Sequence, residues 1–202
     1  MSTEYEFDLA VVGSGGAAMA AAISARQAGK SVVLIERGAL GGTCVNIGCV
    51  PSKTLLAAAG ARHAALANPF PGAPTSAWDV DLASLVHQKD QLIDQLRGAK
   101  YVDVADAYGF EIRSGEASFA DPDTLLADGK PVSAGSFIIA TGAEPARPDV
   151  AGLAEVDYLT STTAMELTKL PKSMVIIGGG YVGLEQAQLF AHLGTKVTIV
   201  GR

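Results

Sequence analysis

Cys44 and Cys49 are the only cysteines in the chain, with four residues between them. They sit in Gly41-Gly42-Thr43-Cys44-Val45-Asn46-Ile47-Gly48-Cys49-Val50-Pro51-Ser52-Lys53. A disulfide across so few residues closes a small ring and gains little from chain entropy, so it suits opening and closing better than holding a fold. Pro51 fits the first turn of a helix, where its missing N–H costs nothing. That places Cys49 near a helix N-terminus, which stabilises a thiolate. Lys53, about one turn on, is either a charge partner for a redox group or an ordinary solvated helix lysine. Dithiol–disulfide redox chemistry is the reading that uses all of these features. Metal binding is its rival, but a structural zinc needs four ligands. His63, His87 and His192 all lie away from the cysteines in sequence.

The elements that must position this pair begin at the N-terminus. Phe7 to Val12 is a short apolar run, a buried strand by pattern. It feeds Gly13-Ser14-Gly15-Gly16-Ala17-Ala18, after which Met19 to Ala28 is alanine-rich and helix-prone, with Gly29 as its stop. Ser31 to Ile35 is a second buried strand, ending at Glu36. Gly13 permits a tight turn, Gly15 lets backbone approach a pyrophosphate, and Ala18 lets helix and strand pack closely. The helix start offers free N–H groups and a positive dipole end to phosphates. Glu36, about 20 residues on, stands where an acid accepts hydrogen bonds from ribose hydroxyls. Strand, helix, second strand and acid are in register, which a chance glycine turn does not produce.

The unit recurs about 165 residues later. Ser173 to Ile177 is a strand, Gly178-Gly179-Gly180-Tyr181-Val182-Gly183 the turn, Leu184 to Leu193 the helix, and Lys196 to Val200 the next strand. Gly201 stands where the acid should be, and Arg202 follows. An arginine there suits a ribose 2′-phosphate, which favours NADPH over NADH, or is a surface residue after a strand. Between the two units, Leu55 to Leu66 reads as helix and Asn68 to Pro74 as a loop. Leu82 to Leu96 is a helical apolar stripe that Lys89 interrupts. Gly109 to Phe119 and Thr124 to Ala127 suggest a small antiparallel sheet. Ser136 to Gly142 reads as a buried strand ending in Thr141-Gly142.

Composition narrows the classes. The chain has 202 residues, 49% of them hydrophobic, and a net charge of −6. A basic cluster for nucleic acid is absent, and Met1 to Phe7 lacks the pattern of a signal peptide. The sequence shows no apolar run of the roughly 18 residues that a membrane span needs. The expected setting is the cytoplasm, where a cysteine pair is more often catalytic than a staple.

Gly41 to Lys53 resembles the signature of the pyridine nucleotide-disulfide oxidoreductases, a family that includes glutathione reductase, lipoamide dehydrogenase and mercuric reductase. The resemblance implies FAD and NADPH as cofactors and an α/β, Rossmann-like three-layer FAD/NAD(P)-binding fold. It implies a flavin-binding part over residues 1–160 and the first βαβ unit of a second nucleotide-binding domain over residues 161–202. It makes Cys44 the cysteine that exchanges with substrate and Cys49 the one that contacts the flavin. Gly42, Thr43, Thr141 and Gly142 then lie along the flavin cofactor, Lys53 near its N5 and paired with Glu185, and Tyr181 over its ring. Gly178, Gly180, Gly183 and Arg202 fall to the nicotinamide nucleotide.

Leu96 to Tyr101, Gly13 to Ala22 and Tyr158 to Thr162 are most similar to the mercuric reductase branch. There Tyr101 lies near the metal path, though a helix-end tyrosine packing its ring fits the residues equally. Tyr181 is larger than the residue many of that branch carry. The implied acceptor is Hg(II), held transiently by Cys44 and Cys49, with a small disulfide substrate as the alternative. The chain matches less than half of the family's length, so the resemblance implies an N-terminal part of an enzyme that is a homodimer at full length. A flavin-binding remnant without turnover is the non-enzyme reading.

Overall fold

The computed structural model describes residues 5–122 and 124–201. In chain order the elements are β1 (Leu9–Val12), α1 (Gly16–Gln27), β2 (Val32–Glu36), α2 (Gly42–Asn46), α3 (Cys49–Leu66) and α4 (Leu82–Arg97). A π-helical turn (Gly98–Val102), α5 (Asp103–Tyr108), β3 (Glu111–Ser114), β4 (Ala117–Asp121), β5 (Thr124–Ala127), β6 (Lys130–Val132) and β7 (Phe137–Ile139) follow. A 3₁₀ turn (Leu153–Glu155), α6 (Ser161–Ala164), β8 (Ser173–Ile177), α7 (Tyr181–Leu193) and β9 (Lys196–Val200) complete the chain. These gather into two compact units, one up to Asn46 and from Ile93 to Glu144, the other from Ile47 to Leu92 and from Pro145 onward.

The first unit is an α/β structure of three layers. Its central sheet has the order β3-β2-β1-β7 with all pairs parallel. Successive side chains of a strand point to opposite faces. Leu9, Val11, Val32 and Leu34 accordingly join Ala18, Met19 and Ala22 of α1 and Phe110 in one buried cluster. Ala10, Val33 and Ile35 meet Leu125, Ala127 and Val132 in another, beneath the antiparallel sheet β4-β5-β6. Burial on both faces explains why β1 and β2 read as unbroken apolar runs.

Two strands depart from the sequence reading. Glu111–Ser114 joins the parallel sheet beside β2, and only the segment from Ala117 onward forms the antiparallel sheet. Short alternating segments carry no record of their partner, because pairing is decided by distant residues. β7 is less buried than its composition suggests, with Ile139 69% exposed. It is the last strand in the described sheet and pairs with β1 alone.

In the second unit α3 packs along α7, and β8 pairs parallel with β9. Leu55, Ala59, Leu82, Val86, Met165, Leu189, Phe190 and Leu193 form the core. Lys89, the break in the α4 stripe, is fully buried among them. Its Nζ donates to the Met165 carbonyl at 3.2 Å and pairs with Asp90 at 3.0 Å and with Glu166. The carboxylates stay half-exposed, so the stem is buried while the charge is met at the rim. Among the described residues no helix is long and apolar enough to cross a membrane.

Lys89→Ala should lower stability by about 2–4 kcal/mol in urea unfolding, through the lost stem and the unpaired Met165 carbonyl. Lys89→Met, which keeps the stem, should lose only about 1–2 kcal/mol. Wild-type stability in both variants would remove Lys89 from the support of this core.

Candidate functional site

In the first unit, two glycine-rich segments approach each other. Gly13 has φ +108°, and a Cβ on it would lie 2.3 Å from the Ala140 carbonyl oxygen, so only glycine fits. Its N–H donates to the Ile35 carbonyl at 2.8 Å, which ties the turn to β2. Gly42 has φ +62°, and its Cβ would lie 2.6 Å from the Gly15 Cα. Ser14, buried between them, donates from Oγ to Glu36 Oε2 at 2.6 Å and accepts from the Gly41 N–H at 3.0 Å. The Gly38 N–H donates to Glu36 Oε1 at 2.8 Å. Gly16 and Ala17 are exposed at the start of α1, and Ala18 is buried against the sheet.

Beside this turn lies a cavity of about 310 Å³ lined by Gly13, Glu36, Arg37, Gly115, Glu116 and Thr141, among others. Arg37 and Glu116 pair at 3.7 Å on its wall. These residues fit the adenosine half of a dinucleotide. Each Glu36 oxygen keeps a lone pair for a ribose hydroxyl, and the start of α1 presents its N–H groups to phosphate. Gly142 has φ +74°, and its Cβ position lies 4.0 Å from Thr43 Oγ1, so these two residues are near neighbours.

Cys44 lies in the middle of the one-turn helix α2 and is exposed in the thiol form. Tyr101 sits in the π-helical turn rather than at a plain helix end. Its ring lies 3.1 Å from where a Gly41 Cβ would be. Burial, and then the negative charge of Cys44, push its phenol above the ordinary tyrosine range. A π turn of this kind often marks a functional position in a helix.

In the second unit Cys49 opens α3 and is also exposed in the thiol form. Pro51 is buried in the first turn. Lys53 donates to Glu185 of α7. That hydrogen bond holds the Glu185 carboxyl below the usual range, outweighing partial burial, and Ser52 adds to it. The second glycine turn repeats the first: Gly178 has φ +113° and donates to the Val200 carbonyl at 2.8 Å. A Cβ on Gly183 would lie 2.2 Å from the Gly178 carbonyl oxygen. Tyr181 is 85% exposed and, with Gly178, Gly180 and Gly183, lines a cavity of about 670 Å³. Arg202 lies outside the described residues. His63 and His192 stack with ring centroids 3.9 Å apart. Among the described residues no three His, Cys, Asp or Glu side chains converge as a metal site.

Sequence reasoning passed over Asn46, Arg97, Arg37 and Glu116. The side-chain amide of Asn46 donates to the carbonyls of Ala39 (3.3 Å), Leu40 (2.9 Å) and Gly42 (3.0 Å). Arg97 donates to its Oδ1 from Nε at 3.1 Å and Nη2 at 2.8 Å. The signal was present in part, since asparagine side chains in turns commonly bond nearby backbone.

Comparison with known proteins agrees with this geometry. Residues 7–202 match the family model of the pyridine nucleotide-disulphide oxidoreductases. A mercuric reductase from Streptomyces lividans is 56% identical over 97% of this chain and 43% of its own length. One from Lysinibacillus sphaericus is 53% identical over 98% of this chain and 36% of its own length. The chain therefore spans less than half the length of these relatives. The HOCl-induced flavoprotein disulfide reductase RclA from Escherichia coli superposes with a TM-score of 0.80 at 31% identity, over 95% of this chain and 41% of that one.

Two measurements test the electrostatics. In a phenolate absorbance titration against Tyr101→Phe, Tyr101 should ionise above the ordinary tyrosine value of 10.0. Cys44→Ser should lower that value without normalising it, because burial is the larger cause. Glu185 is depressed on folding, so its contribution is present above the carboxylate range and fades as pH falls below its ordinary value of 4.5. Because Lys53 is largely exposed, Glu185→Gln should cost under about 1 kcal/mol at neutral pH and progressively less as pH falls below 4.5. An equal loss across that range would show that the pair is not its source.

Proposed function

The chain belongs to the pyridine nucleotide-disulphide oxidoreductase family, and from that premise we propose that it carries electrons from NADPH, by way of FAD, to Cys44 and Cys49 and on to Hg(II). In this reading residues up to 160 hold the flavin cofactor, and residues from 161 begin the NADPH domain. FAD, when bound, relays one electron pair from the nicotinamide to the cysteine pair. Gly13, Ser14, Gly15, Gly16, Ala17, Ala18 and Glu36 hold its adenosine and pyrophosphate, with Gly42, Thr43, Thr141 and Gly142 along its length. Lys53, oriented by Glu185, brings a positive charge toward the ring, and Tyr181 covers the nicotinamide side. Gly178, Gly180, Gly183 and Arg202 receive NADPH.

The substrate step belongs to the thiolates. Soft sulfur ligands favour a soft ion, and two thiolates satisfy Hg(II) as a two-coordinate ion. The balance is one NADPH and one Hg(II) giving NADP⁺, one proton and Hg(0). The observation that carries the Hg(II) reading is Tyr101 beside Cys44 in a chain more than half identical to mercuric reductases. The phenol stays protonated at neutral pH and offers a hydrogen-bond donor next to the exchanging thiolate. Reduction of a small disulfide is the second reading, supported by the likeness to a flavoprotein disulfide reductase.

The test is NADPH oxidation by the intact gene product with Hg(II) in excess thiol. Turnover should require Hg(II) and fall to background in Cys44→Ala. Tyr101→Phe should slow it about 10-fold or more while leaving flavin bound. Turnover with a disulfide and none with Hg(II) would replace this reading by the second one.

A further inference from the structure

We infer that Asn46 and Arg97 are positioning residues that hold the Cys44 turn and thereby set its thiol–disulfide equilibrium. This rests on the dithiol reading of Cys44 and Cys49.

The turn cannot hold itself. α2 is five residues long, and a helix of one turn does not outweigh the cost of its own nucleation. It is entered through Gly41 and Gly42, both with positive φ, and glycine loses the most freedom on ordering. The carbonyls of Ala39 and Leu40 lie outside α2, and the Asn46 amide donates to both and to the Gly42 carbonyl. Its Oδ1 faces the Arg97 guanidinium, which Asp94 steadies from the other side at 2.8 Å. This fixes the amide orientation, because the reverse would set its NH₂ against a cation. The amide donates to carbonyls and accepts from arginine at once. Aspartate keeps the second half and loses the first.

Arg97 ends α4, directly before the π turn that carries Tyr101. The same pair therefore ties the Cys44 turn to the segment bearing its phenol neighbour. A turn held in place lowers the entropy lost when the disulfide closes, so it favours the disulfide over the dithiol.

The experiment equilibrates the whole protein with glutathione buffers and traps thiols by alkylation. The exchange converts protein dithiol and oxidised glutathione into protein disulfide and two reduced glutathiones. Asn46→Asp should move the equilibrium about tenfold toward dithiol, about 30 mV for this two-electron couple. Arg97→Met should move it the same way by about threefold, and Arg97→Lys should recover part of that. Far-ultraviolet circular dichroism identifies any variant that does not fold. If Asn46→Asp is one, Arg97→Met against Arg97→Lys decides. Folded variants with the wild-type equilibrium would overturn the inference while leaving the dithiol reading intact. A wild-type chain that forms no internal disulfide at any ratio would overturn both.

Discussion

The approach of the Gly15 and Gly42 backbones governs the first unit. No side chain larger than hydrogen fits at Gly42, whose Cβ would stand 2.6 Å from the Gly15 Cα. That contact joins two segments with separate chemistry, a phosphate-type turn and a cysteine-bearing turn. Ser14 makes the junction polar as well as steric, since its hydroxyl links Glu36 to the Gly41 N–H. A serine that resembles one more member of a glycine motif is thus a buried bracket between the acid and the cysteine-bearing turn. A displacement at either turn reaches the other, because close-packed backbone has little room to absorb it.

The two glycine turns show how far one local solution can be reused. Gly13 and Gly178 both have positive φ and donate to the strand that follows the helix, β2 and β9 respectively. The surroundings differ. β1 and β2 are covered on both faces, whereas Val175 and Ile177 of β8 and Ile199 and Val200 of β9 are exposed. The local sequence fixes the turn in both places, and the layers around it decide how much of each strand leaves water. The small-residue requirement differs too. Ala18 suffices in the first unit, but a Cβ at Gly183 would collide with the Gly178 carbonyl.

What could be read from the sequence was what depends on neighbours in the chain. β1, α1, β2 and Glu36 follow from local pattern, as do β8, α7 and β9, and Pro51 marks the start of α3. What could not be read depends on distant partners. Glu111–Ser114 alternates like an antiparallel strand and pairs parallel with β2. Lys89 looks like a flaw in a helix stripe until Glu166 and the Met165 carbonyl are brought to it. Asn46 is one polar residue between two cysteines until Arg97, 51 residues on, closes over its oxygen. Tyr101 reads as a helix end, and the π turn that aims it beside Gly41 leaves no mark in composition.

The charge relation between Cys44 and Tyr101 constrains how this turn can work. Burial raises the phenol first, and the sulfur charge raises it further. Coupling of this kind is reciprocal: a negative sulfur that keeps the phenol protonated is itself favoured by a protonated phenol. At neutral pH the phenol is therefore a neutral donor, whichever form the sulfur takes. The donor needs no proton movement to be ready. The relation survives only while the turn holds Cys44 near the ring. The Asn46 bonds and the close packing at Gly42 are thus part of the electrostatics as much as of the fold.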